Sequence, residues 1–499
     1  MWNKQTVLYF LVMSFFAIGA ILQGFIQDWS LLFAGSLLTL VGAILCLLSR
    51  QLRIAWLHLG LILYAAAYLI TIVYAVDLEG SMIEAGRVAL LVPLLGLLLS
   101  LDKEKIEAAQ LGFTRIAAAV VVLGIAFRME RNDRLESTLE YANALAIILL
   151  VAIIVSLLQY ARNGKRIEIV VTAILFSGLL LTMSRSVWVL WLASAVAVVL
   201  VFSEFRRFKT LIAVGIAHAA GFIVACAYKG DFLFFKGRVQ SIQPETSEFK
   251  IRFVYWKDGL GMLRDYWWKG TGGGGWSLLQ TEYQSKSYFV KYIHNHYVQT
   301  ALDIGLLGLV LFLFILGMYA FAVWRQLKVG DADDRFWGKG MLIAVLITLF
   351  HVGFDFDFTF PLAMGLLLLL MVLSNAYWPV ATTIRNKLAA NWLGIAAIVV
   401  SIAFLWLGIG YREKQTAVQL RDSGQLEASL SHFRSAVRTI PWSPTVRYEF
   451  AKAYVLVGNA TQNKQAYLDA KQQVEKAIEL QPKEALYKDL LKDLQKVAD

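Results

Sequence analysis

The chain has 499 residues, of which 58% are hydrophobic and 17% charged, with a mean hydropathy of +0.60 and a formal charge of +11. Soluble domains run at roughly 45–50% apolar and about 25% charged, so this composition excludes a water-soluble globule and fits a chain dissolved in lipid. The two cysteines, Cys46 and Cys226, both lie in apolar runs; they supply no disulfide framework or cysteine metal site. Basic loops that set membrane topology explain the positive charge without nucleic acid.

Apolar runs of spanning length fall near 7–26, 31–49, 54–76, 87–101, 113–127, 141–159, 168–182, 187–203, 210–227, 298–323, 340–353, 358–380 and 391–411. The first lacks a small-residue cleavage site and reads as a span, not a signal peptide. The runs predict an all-α, polytopic transmembrane domain of about 12–13 spans over residues 1–411. Loop charges give an independent check. With Lys4 on the cytoplasmic side, alternate loops carry Arg50 and Arg53; Lys103, Lys105 and Arg115; Arg162, Lys165 and Arg166; Arg206, Arg207 and Lys209; Arg325, Lys328, Arg335 and Lys339; Arg385 and Lys387. The opposite loops are short or acidic, as at Asp77-Leu78-Glu79, or form the long polar interval 228–297. This positive-inside pattern predicts that the 228–297 loop, the turn at 182–186 and the tail after Tyr411 are extracytoplasmic. The mixed-charge loop from Arg128 to Arg134 is a mild exception on that side. It reads as a solvated face or, more sharply, as a contact for an anionic donor.

Arg185 stands between two spans with almost no loop, in Thr182-Met183-Ser184-Arg185-Ser186. It reads either as a headgroup-snorkelling arginine or as a phosphate clamp, since the guanidinium fork matches phosphate oxygens in pairs. Ser184 and Thr182 are placed to orient it. Arg252 lies in a predicted helix with Trp256; alone it is a surface cation, and beside Arg185 it is the second half of a diphosphate clamp. Arg238 and Arg264 are weaker candidates for that role. The glycines Gly270 and Gly272 to Gly275 lack the endings of nucleotide loops. They permit a tight backbone near a bulky ligand at Gly272 and Gly274, or form a flexible turn. Trp267, Trp268 and Trp276 read as an interfacial belt or as stacking surfaces for sugar rings.

His294, in His294-Asn295-His296-Tyr297, precedes the span near 298–323. An imidazole at the membrane surface is suited to proton transfer near neutral pH. A metal held by His294 and His296 lacks supporting carboxylates. Asp303 falls about two helical turns past His296, as a pocket-lining residue or a hydrogen-bond acceptor for it. His351, Asp355 and Asp357 form another outer cluster, in which the carboxylates pair with the arginines, bind an acceptor hydroxyl or serve structure. Residues 412–499 turn polar and helix-periodic. Ala477-Ile478-Glu479-Leu480-Gln481-Pro482 echoes Ala436-Val437-Arg438-Thr439-Ile440-Pro441, predicting about two helical repeats with a face for a protein partner.

These motifs together resemble those of the O-antigen ligase and O-antigen polymerase superfamily of bacterial membrane glycosyltransferases, over roughly residues 10–410. His294-Asn295-His296-Tyr297-Val298-Gln299 followed by Asp303-Ile304-Gly305 resembles the family's histidine-asparagine motif. Thr182 to Ser186 resembles its serine-arginine motif, and Arg252 with Trp256 ahead of Gly270 to Gly274 its arginine-tryptophan element and glycine motif. A proline frequent before that motif is replaced near Trp268. The tail resembles tetratricopeptide extensions of some members.

The resemblance implies a multi-pass protein of the bacterial inner membrane that works on the outer face without metal or other cofactor. It implies transfer of a glycan from an undecaprenyl-diphosphate carrier to a glycan, lipid or wall acceptor. In it, Arg185 and Arg252 hold the diphosphate and His294 activates the acceptor hydroxyl. Ser184, Asn295, Trp256, Gly272, Gly274, Asp303 and Arg264 are the expected substrate contacts. A polymerase extending a carrier-linked chain shares the motifs. A transporter, expected to carry inverted repeats and midplane ionisable groups, and a scaffold for envelope assembly are the readings from other classes.

Overall fold

The computed structural model describes residues 3–49, 52–237 and 247–498; Arg50 and Arg238 lie outside these described residues. The fold is all-α and polytopic. Among the described residues, eight helices are long and apolar enough to cross a membrane: Lys4–Ile21, Asp28–Leu48, Leu78–Leu99, Lys103–Ala126, Ala142–Asn163, Phe208–Lys229, His296–Val329 and Lys387–Asp422. Shorter apolar helices occupy Trp56–Thr71, Ile167–Leu181, Arg185–Val201 and Pro361–Tyr377, and Ala332–His351 fills the remaining expected segment. Ala142–Asn163 is enclosed along most of its length, while the outer helices present Leu192, Val196, Ile216, Ile223, Val399 and Ile402 outward. In lipid such faces need no cover.

Loop contacts join the connections into two separate sets, and the sets follow the charge pattern. In one, Gln5 Nε2 donates to the Ser100 carbonyl, Lys103 pairs with Asp333 and Asp334, and Arg162 with Asp333. A short antiparallel ribbon, Leu52–Ala55 with Val380–Ile384, belongs to this basic set. In the other, Thr138 bonds to the Ala20 carbonyl, Lys229 to Glu130, Arg134 to the Thr182 carbonyl and Tyr141 to Asp355.

One span begins earlier than its hydropathy predicts. Helix runs from Leu78, not from 87, because Glu84 and Arg87 interrupt the apolar pattern yet pair with each other at 2.9 Å inside the fold. Tyr292 OH donates to Glu84, and Arg87 donates to the Thr359 carbonyl. These extra hydrogen bonds offset part of the cost of burying the pair, while Arg87 Nη2 is left without one.

The polar 228–297 interval builds a small core from Tyr255, Met262, Trp276, Leu279 and Ile293, closed by Leu302 of the following helix. Helix Ser247–Tyr266 turns Tyr255 and Met262 into that core. Trp276 is fully buried there, so it is neither a lipid-interface belt nor an open stacking surface. Trp267 and Trp268 are exposed.

The glycine run docks this unit on the spans. Gly272 N–H donates to the Asp303 carbonyl and Thr271 N–H to the Leu302 carbonyl. Gly272 has φ +82, and a Cβ there would sit 2.3 Å from Ser81 Oγ. Opposite it, helix His296–Val329 breaks at Ile304 and Gly305; Gly305 has φ +72 and lies so close to the Trp268 carbonyl that a Cβ would be 2.0 Å away. Only glycine allows both approaches without strain. Asp77 caps the Leu78–Ala89 helix by accepting from Gly80 N–H at 2.9 Å. Burial pushes its carboxyl up to about 6.

Beyond the last span the backbone does not pause at residue 412: Lys387–Asp422 is one 36-residue helix. It is followed by Leu426–Thr439, Pro444–Thr461, Lys464–Leu480 and Ala485–Ala498, which bury small residues such as Ala436, Ala451, Ala470 and Ala477 between them. The tail rests on the Leu78–Leu99 span and on the polar 228–297 unit. Buried Glu79 accepts from Ser443 Oγ at 2.7 Å and Thr445 Oγ1 at 2.8 Å, and Lys483 pairs with Glu282 at 3.1 Å.

Candidate active site

Four segments far apart in sequence meet at Asp355. Its loop links Ala332–His351 to Pro361–Met371, and its side chain is fully buried. Tyr141 OH donates to Oδ1 at 2.7 Å, and Asn143 Nδ2 donates to Oδ2 at 2.7 Å. Arg252 Nη2 donates to Oδ2 at 3.2 Å. His294 Nδ1 stands 3.3 Å from Oδ1, an ion-pair distance without hydrogen-bond alignment. Burial alone would raise this carboxyl. The adjoining His294 and the Arg252 guanidinium outweigh it and hold Asp355 well below the usual carboxylate range.

Each partner arrives for a local reason. Arg252 and Trp256 are one turn apart on helix Ser247–Tyr266, so both face the same side. Trp256 Nε1 donates to the His294 carbonyl at 3.3 Å. Asn295 caps helix His296–Val329, its Oδ1 accepting from Val298 N–H at 3.0 Å. The cap holds His294 just outside the helix at φ +55, a left-handed conformation uncommon without glycine. The imidazole stacks edge-on against Phe356, with centroids 4.8 Å apart. Arg252 and His294 each keep 19% of their side-chain surface exposed, so the cluster has an open rim over a buried carboxylate.

Arg185 enters through its neighbour. Ser184 precedes helix Arg185–Val201 after a turn in which Met183 has φ +52. Ser184 Oγ donates to Asn143 Oδ1 at 3.0 Å, and Asn143 in turn holds Asp355. Half-buried Arg185 is therefore the first residue of a helix whose N-terminus abuts the cluster. Arg134 joins as well, with Nη2 2.5 Å from Asn143 Oδ1 and Nε 2.9 Å from the Thr182 carbonyl.

The structure thus brings together Arg252, His294, Trp256, Asn295 and Ser184, with Arg185 beside them. It does not bring Gly272, Gly274 and Asp303 to this cluster. The two glycines pack against Ala75, Asp77 and Ser81. Asp303 accepts from Tyr68 OH at 3.1 Å and Gln299 Nε2 at 2.9 Å, not from His296. The His296 ring lies edge-on between Phe312 and Phe358, and its Nε2 makes no hydrogen bond. His294 and His296 therefore face different surroundings and do not converge as a metal pair. Arg264 is exposed twelve residues beyond Arg252, about 18 Å further along the helix.

Sequence reasoning passed over Tyr141 and Asn143. The available signal was a lone amide in the first turn of an otherwise apolar span.

A comparison with curated proteins finds no match. Residues 170–313, from the helix before Arg185 through Arg252 and His294 to the span that follows, match the family model described as O-antigen ligase; over that stretch this multi-pass membrane protein is similar to the O-antigen ligases.

Proposed function

We propose that the chain is an O-antigen ligase-like enzyme that takes a glycan from an undecaprenyl-diphosphate carrier and joins it to a surface acceptor at the outer face of a bacterial inner membrane. The observation that carries this reading is the Asp355 cluster. One buried carboxylate holds a guanidinium and an imidazole at a common rim, with Arg185 and Arg134 alongside. Arg252 contacts Asp355, Arg134 contacts Asn143 beside it, and Arg185 directly follows Ser184; such a concentration of guanidinium groups suits a phosphate-bearing anion.

The chemistry follows from these positions. Arg185 and Arg252 bind the diphosphate, and the carrier's prenyl chain stays in the lipid. The acceptor hydroxyl attacks the anomeric carbon in line with the diphosphate. Its O–H proton passes to His294, the new O–C bond forms, and the electron pair of the breaking C–O bond goes to the diphosphate. The guanidinium groups stabilise that growing charge, and the anomeric centre inverts. Asp355 keeps Arg252 and His294 in register. The left-handed backbone at His294 supports this assignment, since strain of that kind clusters at working residues. Residues 1–411 form the transferase with 228–297 as its outer loop. Residues 412–499, read as tetratricopeptide-like, steer the acceptor or a partner protein.

The test is cell-free transfer from a carrier-diphosphate glycan to a panel of acceptors. We expect Arg185→Ala, Arg252→Ala and His294→Ala each to lower turnover by at least ~100-fold. Full turnover in all three variants removes the assignment.

A further inference from the structure

A second histidine–aspartate pair lies just behind the first, and the scheme above leaves it idle. His351 Nδ1 is 2.5 Å from Asp357 Oδ2, and both side chains are about 1% exposed. On the other edge of the ring, His351 Nε2 is 3.2 Å from Ser186 Oγ. Ser186 is half-buried, the one member of the trio with exposed surface. Its Oγ is 3.5 Å from Ser184 Oγ, which leads through Asn143 to Asp355. The arrangement is that of a serine–histidine–aspartate triad, which is recognised by geometry and not by sequence order. Burying an acid and an imidazole in a membrane protein is costly and points to a task.

Resting on the diphosphate reading above, we propose that Ser186 is a further binding group for the diphosphate, with its hydroxyl aimed by His351 and Asp357. Three features carry this. Ser186 directly follows Arg185. It sits in the first turn of helix Arg185–Val201, where amide N–H groups lack helical acceptors and favour an anion. Its hydroxyl carries one hydrogen, whose direction His351 decides. When Nε2 bears a hydrogen it donates to Ser186 Oγ, and the serine hydrogen turns outward to a phosphate oxygen. The Asp357 carboxylate on Nδ1 offsets the charge of that doubly protonated ring. Ser186 then adds a hydrogen bond to the oxygen that receives the electron pair, with no proton transferred. His351 and Asp357 act through Ser186 as positioning residues.

The experiment measures binding of undecaprenyl diphosphate by the full chain in nanodiscs, without acceptor. We expect Ser186→Ala to weaken binding about 10-fold, as for a hydrogen bond to a charged group, and Ser186→Thr, which keeps the hydroxyl, to stay within about 3-fold of wild type. His351→Leu should weaken binding as Ser186→Ala does. The double variant should be no weaker than either single one, because groups acting in series do not add. Unchanged binding in Ser186→Ala, or full additivity in the double variant, overturns the proposal while leaving the arginine clamp standing. If His351→Leu does not elute as folded protein, the alanine–threonine pair at 186 decides alone. Wild type that fails to bind the probe overturns the diphosphate reading and this proposal with it.

Discussion

Two buried carboxylates, Asp355 and Asp303, are furnished almost alike and end in different situations. Each accepts one tyrosine hydroxyl and one side-chain amide: Tyr141 and Asn143 for Asp355, Tyr68 and Gln299 for Asp303. Only Asp355 adds a guanidinium and an imidazole, and only its cluster opens at a rim. Among the described residues Asp303 has no ion pair, and its backbone carbonyl is taken by the glycine loop. Neutral donors alone satisfy a carboxylate and fix a joint. Cations at an open edge give it the means to handle a charged ligand.

The strongest way to break this contrast is to disturb the cations. Arg185→Ala and Arg252→Ala are expected to lower transfer by at least ~100-fold, and Arg252→Lys to recover only part of that loss, since lysine lacks the paired fork. The next step exchanges the carboxylates themselves. Asp355→Asn keeps the shape but frees Arg252 and His294, and we expect turnover to fall roughly 100-fold through lost alignment. Asp303→Asn loses about one neutral hydrogen bond, about 1 kcal/mol of stability, with turnover within about 3-fold. Equal losses in the two asparagine variants would erase the distinction. Because Asp355 is held below the ordinary carboxylate range, its ionised contribution persists above the unfolded value of about 3.9 and is lost only as pH falls through its lower folded value. Transfer measured between pH 5 and 8 should show no step from this group.

The joint itself can be probed by glycine. Gly272→Ala and Gly305→Ala place a Cβ within 2.3 Å of Ser81 Oγ and 2.0 Å of the Trp268 carbonyl, both at positive φ. The left-handed backbone alone costs ~1–2 kcal/mol, and the overlaps add to it. We expect thermal melts in detergent to drop while the protein that remains folded turns over normally. The smallest effect concerns Asp77, raised to about 6 by burial. A carboxyl raised in the folded state stabilises most below its unfolded value of about 3.9 and loses that contribution as pH rises through about 6. Asp77→Asn should gain on wild type between pH 5 and pH 7 in the same melts.

Much of the fold was legible because lipid solvation writes long apolar runs into the chain, and the two sets of loop contacts follow the charges. The Leu78–Leu99 span began early because Glu84 and Arg87 pair at i,i+3 on one helix face and find their further partners, Tyr292 and the Thr359 carbonyl, only in the fold. At the site, His294, Arg185 and Arg252 carried recognisable motifs, and Asp355 was visible as part of an acidic cluster but not as the centre. Apart from Phe356 N–H, its partners come from residues 141–143, 252 and 294, and no local pattern encodes contacts at that separation. The glycine run, expected near a ligand, is found joining helices, and for a physical reason. The same freedom that lets backbone approach a ligand also lets it approach another helix, as Gly272 and Gly305 do.

The most direct measurement is a structure of the full chain with undecaprenyl diphosphate bound in a lipid nanodisc. We expect the diphosphate oxygens within about 3 Å of the guanidinium groups of Arg185 and Arg252, at the rim above Asp355 and beside His294. A diphosphate seated at the glycine joint beside Asp303, or at the opposite membrane face among Lys103 and Arg162, would contradict it.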